Sequence, residues 1–304
     1  MSGLDVVGFG ALNVDKLFKV NQIAAAEEES YVEDYTEACG GSAANTVVAL
    51  ARLGCKVGFV GKVGRDKEGT LLLSDLRKEG VDTRGVIRAN RGKSGSVLGF
   101  VDKKGARALC INPGVNDKIT FGEINVDYGS QARFLHLTSF VGEKSFETQK
   151  KLLETLPDAV KVSFDPGALY ARRGLSSLEL IVKRAYVMMP NVVELELLTG
   201  KTDYCRGADS LIGRGTKIAA VKLGGDGCYV TDGRESHRIE AFKVKVVDTT
   251  GAGDAFCAGF LYGLLNDRSL YECGRLGNFV ASRCITKMGA RAGLPFAKDL
   301  ELLS

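Results

Sequence analysis

The segment Val246-Val247-Asp248-Thr249-Thr250-Gly251-Ala252-Gly253-Asp254-Ala255-Phe256 places a glycine-rich turn directly before a helical pattern that runs through Leu265. The small residues at positions 251 to 253 allow successive backbone N–H groups to converge on one anion. The start of the helix adds its partial positive charge at the same place. The segment therefore predicts a seat for a phosphate-like anion at the beginning of a helix.

Asp254 falls in the first turn of that predicted helix, next to the anion seat. A carboxylate at this place can accept or orient the proton of an attacking hydroxyl group. An acidic residue also favours a helix start through its charge alone. The local sequence leaves both interpretations open, and the other loops must decide between them.

Strand and helix patterns alternate along most of the chain. Apolar runs typical of buried strands occur at Leu4–Phe9, Val57–Val60, Phe134–Leu137, Val160–Phe164, Ala185–Met189 and Ile218–Val221. Helical spacing occurs at Ser42–Leu53 and Thr70–Glu79. This alternation predicts a three-layer α/β/α fold in which helices cover both faces of a mostly parallel sheet. Ligands of such sheets bind beyond the carboxyl ends of the strands.

One segment departs from this alternation. Residues Ser94–Ile111 alternate between apolar and polar around Asp102-Lys103-Lys104-Gly105, which is a hairpin signal without a neighbouring helix. We predict that this segment forms a small second sheet with an earlier part of the chain. The sheet would comprise about residues 14–38 and 94–111. The whole chain, 1–304, is otherwise predicted to be a single domain.

Composition excludes several functional classes. The chain has 41 basic and 37 acidic residues, a net charge of +4 and no basic block, so we expect no nucleic-acid partner. Its eight cysteines form no Cys-x-x-Cys pair, which argues against a zinc site or a disulfide framework, and we expect most of them to be buried. No segment approaches the ~20 apolar residues that span a bilayer, so a soluble, cytoplasmic protein is expected.

Two further turns have both a functional and a structural interpretation. Lys222-Leu223-Gly224-Gly225-Asp226-Gly227 follows an apolar strand, where a backbone can bend around a nucleotide or simply form a hairpin. Asn191-Val192-Val193-Glu194 begins a helix, where Asn191 is a natural cap and Glu194 a helpful first-turn acid. Alternatively, Glu194 could reach Mg²⁺ through water, because Mg²⁺ prefers oxygen ligands and retains part of its hydration shell.

Three other features do not support the chemistry they resemble. Gly92-Lys93-Ser94 lacks the earlier glycine of a phosphate-binding P-loop, since Ile87 stands there. Gly8-Phe9-Gly10 lacks the third glycine of a dinucleotide-binding turn, since Asn13 stands there. His136 lies within an apolar run and is expected to be a packed core residue.

In chain order, these motifs resemble the ribokinase family, also called the PfkB carbohydrate kinases. The resemblance extends nearly from end to end. It rests on Gly8-x-Gly10 with Asn13-x-Asp15, Gly40-Gly41-Ser42-Ala43-Ala44-Asn45, Val63-Gly64-x-Asp66-x-x-Gly69, Gly80-Val81-Asp82, Asn191-x-x-Glu194 and Asp248-Thr249-Thr250-Gly251-Ala252-Gly253-Asp254.

The resemblance implies roles at the matching positions of this chain. Asp254 would be the catalytic base, and the amides of Gly251, Ala252 and Gly253 would form the anion hole. The acceptor's hydroxyl groups would be held by Asn13, Asp15, Gly40, Gly41 and Asn45. The ATP side would be lined by Asn191, Lys222, Gly224, Gly227 and Asn278, with Glu194 acting on Mg²⁺ through water; many relatives have threonine at the position of Lys222. Asp248 and Thr250, with the turn Lys287–Ala290, would form a monovalent-cation site.

In the family the small sheet is a lid that closes over the acceptor, and it mediates dimerisation in several members, so a homodimer is also implied. Family members phosphorylate sugars, sugar acids, sugar phosphates or nucleosides. The neutral residues Ser42, Ala43 and Ala44 disfavour a phosphorylated acceptor. Phe100, Phe121 and Phe140 are candidates for an aromatic face that would receive a nucleoside base. We favour a sugar over a nucleoside.

Two other functions compete with this interpretation. A non-catalytic sugar-binding protein could share the fold, although the presence of Asp254 argues against it. An NAD-dependent oxidoreductase would need the complete dinucleotide-binding motif that this chain lacks.

Overall fold

The computed structural model describes residues 3–103 and 106–303. Its strands are β1 (Leu4–Phe9), β2 (Asn13–Val20), β3 (Val32–Gly40), β4 (Val57–Val63), β5 (Val86–Arg88), β6 (Gly95–Val101), β7 (Arg107–Asn112), β8 (Ala132–Thr138), β9 (Lys161–Asp165), β10 (Ala185–Met188), β11 (Ile218–Lys222), β12 (Cys228–Thr231) and β13 (Ser236–Ile239). Its α-helices are α1 (Ser42–Arg52), α2 (Lys67–Lys78), α3 (Val126–Ser130), α4 (Glu143–Thr155), α5 (Gly167–Ala171), α6 (Gly174–Ser177), α7 (Glu179–Arg184), α8 (Val192–Thr199), α9 (Tyr204–Ile212), α10 (Ala252–Leu265) and α11 (Leu270–Cys284).

The larger sheet confirms the predicted three-layer α/β/α architecture. Its strand order is β13-β12-β11-β10-β9-β8-β1-β4-β5, and β12 and β13 alone run antiparallel to their neighbours. In β1, Val6 belongs to one buried cluster and Val7 to the other, because successive side chains of a strand point to opposite faces. Helices α1, α2, α10 and α11 cover the first face, and α3 to α9 cover the second.

Glycines in and after β1 allow α1 to pack closely on the sheet. A Cβ added at Gly8 would lie 2.7 Å from Val47 Cγ1, and one added at Gly10 would lie 2.7 Å from Ala43 Cβ. Any larger side chain would push the helix away from the strand. The small residues at these positions therefore serve helix packing, which explains why they resemble a dinucleotide-binding turn without forming one.

The predicted small sheet is also present, with strand order β3-β2-β6-β7. Strand β2 follows β1 after a short connection and pairs antiparallel with β3 and parallel with β6. Residues Asn13, Asp15 and Leu17 alternate along β2 and share the face that looks towards the larger sheet's carboxyl edge. Lys104 and Gly105 of the predicted hairpin turn lie outside the described residues.

Several predicted boundaries were wrong by a few residues. The helix predicted at Thr70–Glu79 begins at Lys67, because the side chain of Asp66 accepts a hydrogen bond from Gly69 N and caps the helix there. The strand predicted at Val57–Val60 continues to Val63, because its last three residues pair with β5. In both cases a contact with a distant or capping partner extended the element beyond its apolar pattern.

The remaining structural expectations are partly confirmed. The eight cysteines are all free, but four are buried, three partly exposed and one exposed, so the expectation that most are buried was wrong. His136 is fully buried and its Nδ1 lies 3.0 Å from Ser163 Oγ, as expected for a core residue. Among the described helices, none qualifies as a span of a lipid bilayer.

Candidate active site

Two cavities open at the carboxyl edge of the larger sheet and meet at the start of α10. The small cavity, of about 370 Å³, lies beneath the small sheet, and the large cavity, of about 910 Å³, lies beyond β9 to β11. Both are lined by Ser42, Thr138, Ser139, Thr249, Ala252, Gly253 and Asp254. A molecule in either cavity would therefore lie next to the glycine-rich turn, as the sequence predicts.

The glycine-rich turn presents backbone donors to this junction. Gly251 is the N-cap of α10 with φ 77°, and no side chain caps the helix. The N–H of Ala252 donates to Thr249 O at 3.2 Å, whereas the N–H groups of Gly253 and Asp254 find no acceptor among the described residues. Unpaired donors at a helix start favour an anion. The amides that begin at Gly253 are thus the donors that this turn offers to an anion, and an anion seat here stays a prediction.

Asp254 is held by a side-chain bond from the motif Gly40-Gly41-Ser42-Ala43-Ala44-Asn45. Asn45 Nδ2 donates to Asp254 Oδ2 at 2.8 Å, and Thr46 Oγ1 donates to the backbone oxygen of Asp254 at 3.2 Å. Burial raises the pKa of Asp254 to about 7, although the bond from Asn45 opposes this shift. A carboxylate with a pKa near neutrality is suited to act as a general base.

Sequence reasoning did not identify Arg291, which fixes the orientation of Asn45. Arg291 Nε donates to Asn45 Oδ1 at 2.7 Å, so the amide's NH₂ group must face Asp254. Arg291 also forms a short ion pair with Asp75, and its backbone oxygen accepts a bond from Arg52. The only sequence signal was its place directly after the predicted turn Lys287–Ala290.

The residues expected to hold the acceptor mostly line the small cavity. Asn13, Asp15, Gly41 and Asn45 do so, whereas Gly40 does not. A Cβ at Gly40 would lie 2.2 Å from Asp15 Oδ2, so this glycine makes room for the Asp15 carboxylate.

Two residues of a short 3-10 helix after β7, Asn116–Lys118, complete the small cavity, and the sequence analysis did not identify them. Asn116 is buried and its Nδ2 donates to Asn13 Oδ1 at 2.9 Å, which leaves the NH₂ group of Asn13 available to a ligand. Asp117 lines the cavity, and its buried Oδ1 has no hydrogen-bond partner among the described residues. Both residues follow β7 of the small sheet. The sequence pattern of that strand does not show that the residues after it reach the cavity.

Only one of the three candidate phenylalanines reaches the small cavity. Phe140 lines it, but Phe100 stacks on Phe18 at a centroid distance of 5.5 Å, and Phe121 packs against the second core cluster. The residues that the small sheet contributes to the cavity include aliphatic Leu17, Val97, Leu109 and Ile111. This lining offers no extended aromatic surface.

All the residues expected on the ATP side line the large cavity: Asn191, Glu194, Lys222, Gly224, Gly227 and Asn278. Asn191 and Glu194 form a capping box, in which Glu194 Oε2 accepts from Asn191 N at 2.8 Å. The structural interpretation of this motif is therefore correct, and the functional one is compatible with it, because Glu194 Oε1 remains available to a ligand. Burial, followed by the charge of Asp165, raises the pKa of Glu194.

The glycine turn after β11 confirms the structural interpretation, and its role at a nucleotide stays a prediction. Strands β11 and β12 form an antiparallel hairpin around Gly224–Asp226, and the same turn lines the large cavity. Asn278 Nδ2 donates to the backbone oxygens of Ile239 and Glu240, so Asn278 also fixes the segment after β13.

A buried ion pair lines the large cavity. Lys222 Nζ lies 2.7 Å from Asp165 Oδ2, and both side chains are about nine-tenths buried. Asp165 was not identified from the sequence, although it directly follows the predicted strand Val160–Phe164 at the ligand-binding edge. Cys257 Sγ donates to the same carboxylate oxygen at 3.4 Å.

The predicted cation site is a hydrogen-bonded loop. Asp248 Oδ1 accepts from the N–H and hydroxyl of Thr250, and Asp248 Oδ2 accepts from Gly289 N at 2.8 Å. These bonds join the turn before α10 to the late turn 287–290. A monovalent-cation site here stays a prediction.

Comparison with known proteins assigns almost the whole chain to the family that its sequence motifs resemble. The pfkB family carbohydrate kinases match residues 4–297. A protein named "Uncharacterized sugar kinase" from Archaeoglobus fulgidus is 49% identical over 255 residues, which are 83% of this chain and 100% of that protein. The ATP-dependent ribose-1-phosphate kinase of Halopiger xanaduensis is 34% identical over 289 residues, 94% of each protein. The crystal structure of ribokinase from Thermotoga maritima has a TM-score of 0.87 and 28% identity, with 98% of both chains covered. The chain therefore belongs to the pfkB family of carbohydrate kinases, phosphotransferases that act on an alcohol group.

Proposed function

We propose that this protein is an ATP-dependent kinase that phosphorylates a hydroxyl group of a small, uncharged sugar or sugar-like molecule. The observation that carries the proposal is the junction of two cavities at one helix start, where unpaired amides lie beside the carboxylate of Asp254. Few other chemistries require an anion seat and a carboxylate of raised pKa between two ligand cavities.

In the proposed reaction, the acceptor occupies the small cavity with one hydroxyl group directed at Asp254. Asp254 orients this hydroxyl and accepts its proton as the new P–O bond forms, while the bond from the γ-phosphorus of ATP to the β,γ-bridging oxygen breaks and ADP leaves. The amides of the Gly251–Gly253 turn and of Asp254 stabilise the negative charge of the phosphoryl group during transfer. Asn45 and Arg291 hold the carboxylate in place and therefore act as positioning residues.

The donor would occupy the large cavity. A volume of about 910 Å³ suits a nucleotide better than a monosaccharide. Glu194 offers a buried carboxylate oxygen to this cavity, and it could hold Mg²⁺ through water while phosphate oxygens supply the other ligands. When bound there, Mg²⁺ would neutralise part of the negative charge of the phosphates.

The charge of the small cavity favours an uncharged acceptor. Asp15, Asp117 and Asp254 line it, and no lysine or arginine does so among the described residues. A phosphate or carboxylate placed there would meet like charges without a compensating cation. The acceptor would therefore differ from ribose 1-phosphate, the substrate named for the Halopiger xanaduensis relative. A cavity of about 370 Å³ without an extended aromatic surface favours a sugar over a nucleoside.

A panel of acceptors tests this proposal directly. ATP consumption would be measured with ribose, fructose, glucose, adenosine, ribose 1-phosphate and 2-dehydro-3-deoxygluconate. We expect kcat/KM for a neutral sugar to exceed that for either anionic sugar by roughly 10²-fold or more, since a like charge in a desolvated site costs several kcal/mol. Preferred use of ribose 1-phosphate would contradict the charge argument, and sugar binding without ATP consumption would favour the non-catalytic alternative.

The raised pKa of Asp254 predicts the pH dependence of the reaction. The base must be ionised, so we expect kcat/KM for the acceptor to fall about tenfold per pH unit below about pH 7, the pKa of Asp254 in the free protein. A pH–rate profile with ATP and acceptor both well below their KM values measures this limb, because the rate then reports the free protein. A rate that stays constant down to pH 5 would remove Asp254 as the titrating base.

Replacement of Arg291 tests the positioning role. Arg291 and Asn45 both lower the pKa of Asp254, opposing the effect of burial. We therefore expect Arg291→Met to shift the acidic limb of the profile to higher pH by roughly half a unit to one unit, since nearby charges commonly shift a pKa by this much or more. Arg291→Lys should keep the positive charge but lose the planar guanidinium donors, and so give a smaller shift. Loss of stability with an unchanged profile would assign Arg291 a structural role instead.

Two further parts of the proposal concern the small sheet. It would act as a lid that closes over the acceptor and excludes water, since Leu109 and Ile111 line the small cavity yet are 49% and 46% exposed. Association of two chains through this sheet would also cover exposed Tyr31 and Val32. Analytical ultracentrifugation would test the predicted homodimer.

A further inference from the structure

We propose that Lys222 is a catalytic residue that contacts the phosphoryl group during transfer, in addition to lining the ATP cavity. This inference builds on the proposed kinase function. It begins from the position of Lys222 at the end of β11, where its backbone N–H donates to Pro190 O at 2.9 Å. This bond, and the pairing of β11 with β10, fix the root of the side chain at the ligand-binding edge of the sheet.

The ammonium group lies directly beside the anion seat. A Cβ added at Gly253 would lie 3.3 Å from Lys222 Nζ, so glycine at this position leaves room for the close approach. Gly253 also carries one of the unpaired N–H groups at the start of α10. The cation and these amides therefore converge on the same small volume, where both cavities meet.

The hydrogen-bonding capacity of Lys222 is only partly used. An ammonium group has three N–H donors. Asp165 accepts one of them at 2.7 Å, and no second acceptor for this ammonium is found in residues 3–103 and 106–303. A largely buried N–H group of a charged side chain that has no acceptor lowers the free energy of unfolding. Phosphoryl oxygens would accept hydrogen bonds from the remaining N–H groups of Lys222. Asp165 fixes the ammonium on one side and leaves the opposite side to a ligand.

The other basic residues of the large cavity are not placed to do this. Arg238 and Lys243 line the cavity but are exposed, and Arg238 donates to the OH of Tyr204 on α9. Neither is among the atoms nearest to a Cβ placed at Gly253, whereas Lys222 Nζ is the nearest. Among the described basic residues that line the large cavity, Lys222 is thus the one whose ammonium group lies beside the anion seat.

The competing explanation is that Lys222 only neutralises Asp165. The two explanations differ in a double-mutant cycle. If the ammonium contacts the phosphoryl group, Lys222→Met should lower kcat roughly 30-fold in both the natural and the Asp165→Asn background, as loss of a charge-assisted contact would. If it only neutralises Asp165, Lys222→Met should have no effect once Asp165 is replaced by asparagine.

A matched control separates chemistry from folding. Lys62 on β4 is also buried and paired with a carboxylate, that of Glu123, but it lines neither cavity. We expect Lys62→Met to lower the melting temperature comparably to Lys222→Met while retaining the kcat of the natural protein. Both variants would be compared at equal concentrations of folded protein.

Nucleotide binding provides a test that does not depend on the acceptor. By calorimetry, Lys222→Met should weaken the ATP analogue AMP-PNP roughly tenfold and leave ADP unchanged, because the contact is with the terminal phosphoryl group. Equal weakening of both nucleotides, or recovery of the natural rate in the double variant, would overturn the inference. If the natural protein binds AMP-PNP but phosphorylates no acceptor, the proposed function fails while these titrations still decide the role of Lys222. Binding of neither nucleotide would overturn both proposals.

Discussion

Asp254→Asn is expected to lower kcat by roughly 10³-fold, the loss that follows removal of a positioned general base. Asparagine keeps the size of the side chain and can still accept the bond from Asn45 Nδ2, so the turn should remain in place. ATP should bind with nearly unchanged affinity, because the ATP site is lined by many other residues. Coupled-assay kinetics and calorimetry measure the two quantities. An unchanged kcat would remove the assignment of Asp254 as the base.

The same variant should be more stable than the natural protein, and the difference should depend on pH. The pKa of Asp254 is about 7 in the folded chain against 3.8 as its ordinary value. Between these values the folded state holds a proton that the unfolded state lacks, so the free energy of unfolding falls as pH rises towards 7. Asparagine has no such dependence. The melting temperature of Asp254→Asn should therefore exceed that of the natural protein by more at pH 8 than at pH 5.

Gly251→Ala is expected to lower kcat by at least roughly 10²-fold, because it displaces the donors of the anion seat. Gly251 has φ 77°, a left-handed conformation that costs alanine about 1–2 kcal/mol. The added Cβ would also lie 2.6 Å from Ala290 Cβ, so the turn or the late loop must move. Steady-state kinetics and thermal unfolding would measure both effects.

Gly80→Ala is the matched control for this backbone effect. Gly80 follows α2 with φ 79°, and a Cβ there would meet no atom within 4 Å. The Gly80→Ala variant should therefore lose a similar free energy of unfolding, because alanine must adopt the left-handed conformation, and it should keep the kcat of the natural protein. Equal activity losses in the two variants would show that general destabilisation, and not movement of the amides, explains the result at Gly251.

The sequence predicted those parts of the site that lie in compact local motifs. The glycine turn, its first-turn aspartate and the capping box at Asn191 are each determined by neighbours within a few residues, so their geometry follows from local chemistry. The order of strands and helices likewise followed from apolar periodicity. The ends of elements were less accurate, because capping by Asp66 and pairing with β5 are not visible in that periodicity.

The residues that the sequence did not reveal are those that act through long-range contacts. Arg291 reaches Asn45 across 246 positions, and Asn116 reaches Asn13 across 103. Nothing in their own segments distinguishes them from surface or loop residues. Asp165 is an intermediate case, since its place at the end of a parallel strand was a usable signal.

The bond between Asn45 and Arg291 also bears on how the protein matures during synthesis. Chains emerge from the ribosome amino end first, at about 5–20 residues per second, and large domains begin to acquire structure as they appear. The residues before position 291 can emerge and start to fold, but the bond that orients Asn45 towards Asp254 cannot form until the late turn has also emerged. Nascent chains arrested before that turn should therefore be compact but without kinase activity. Activity should appear only after the late turn has emerged.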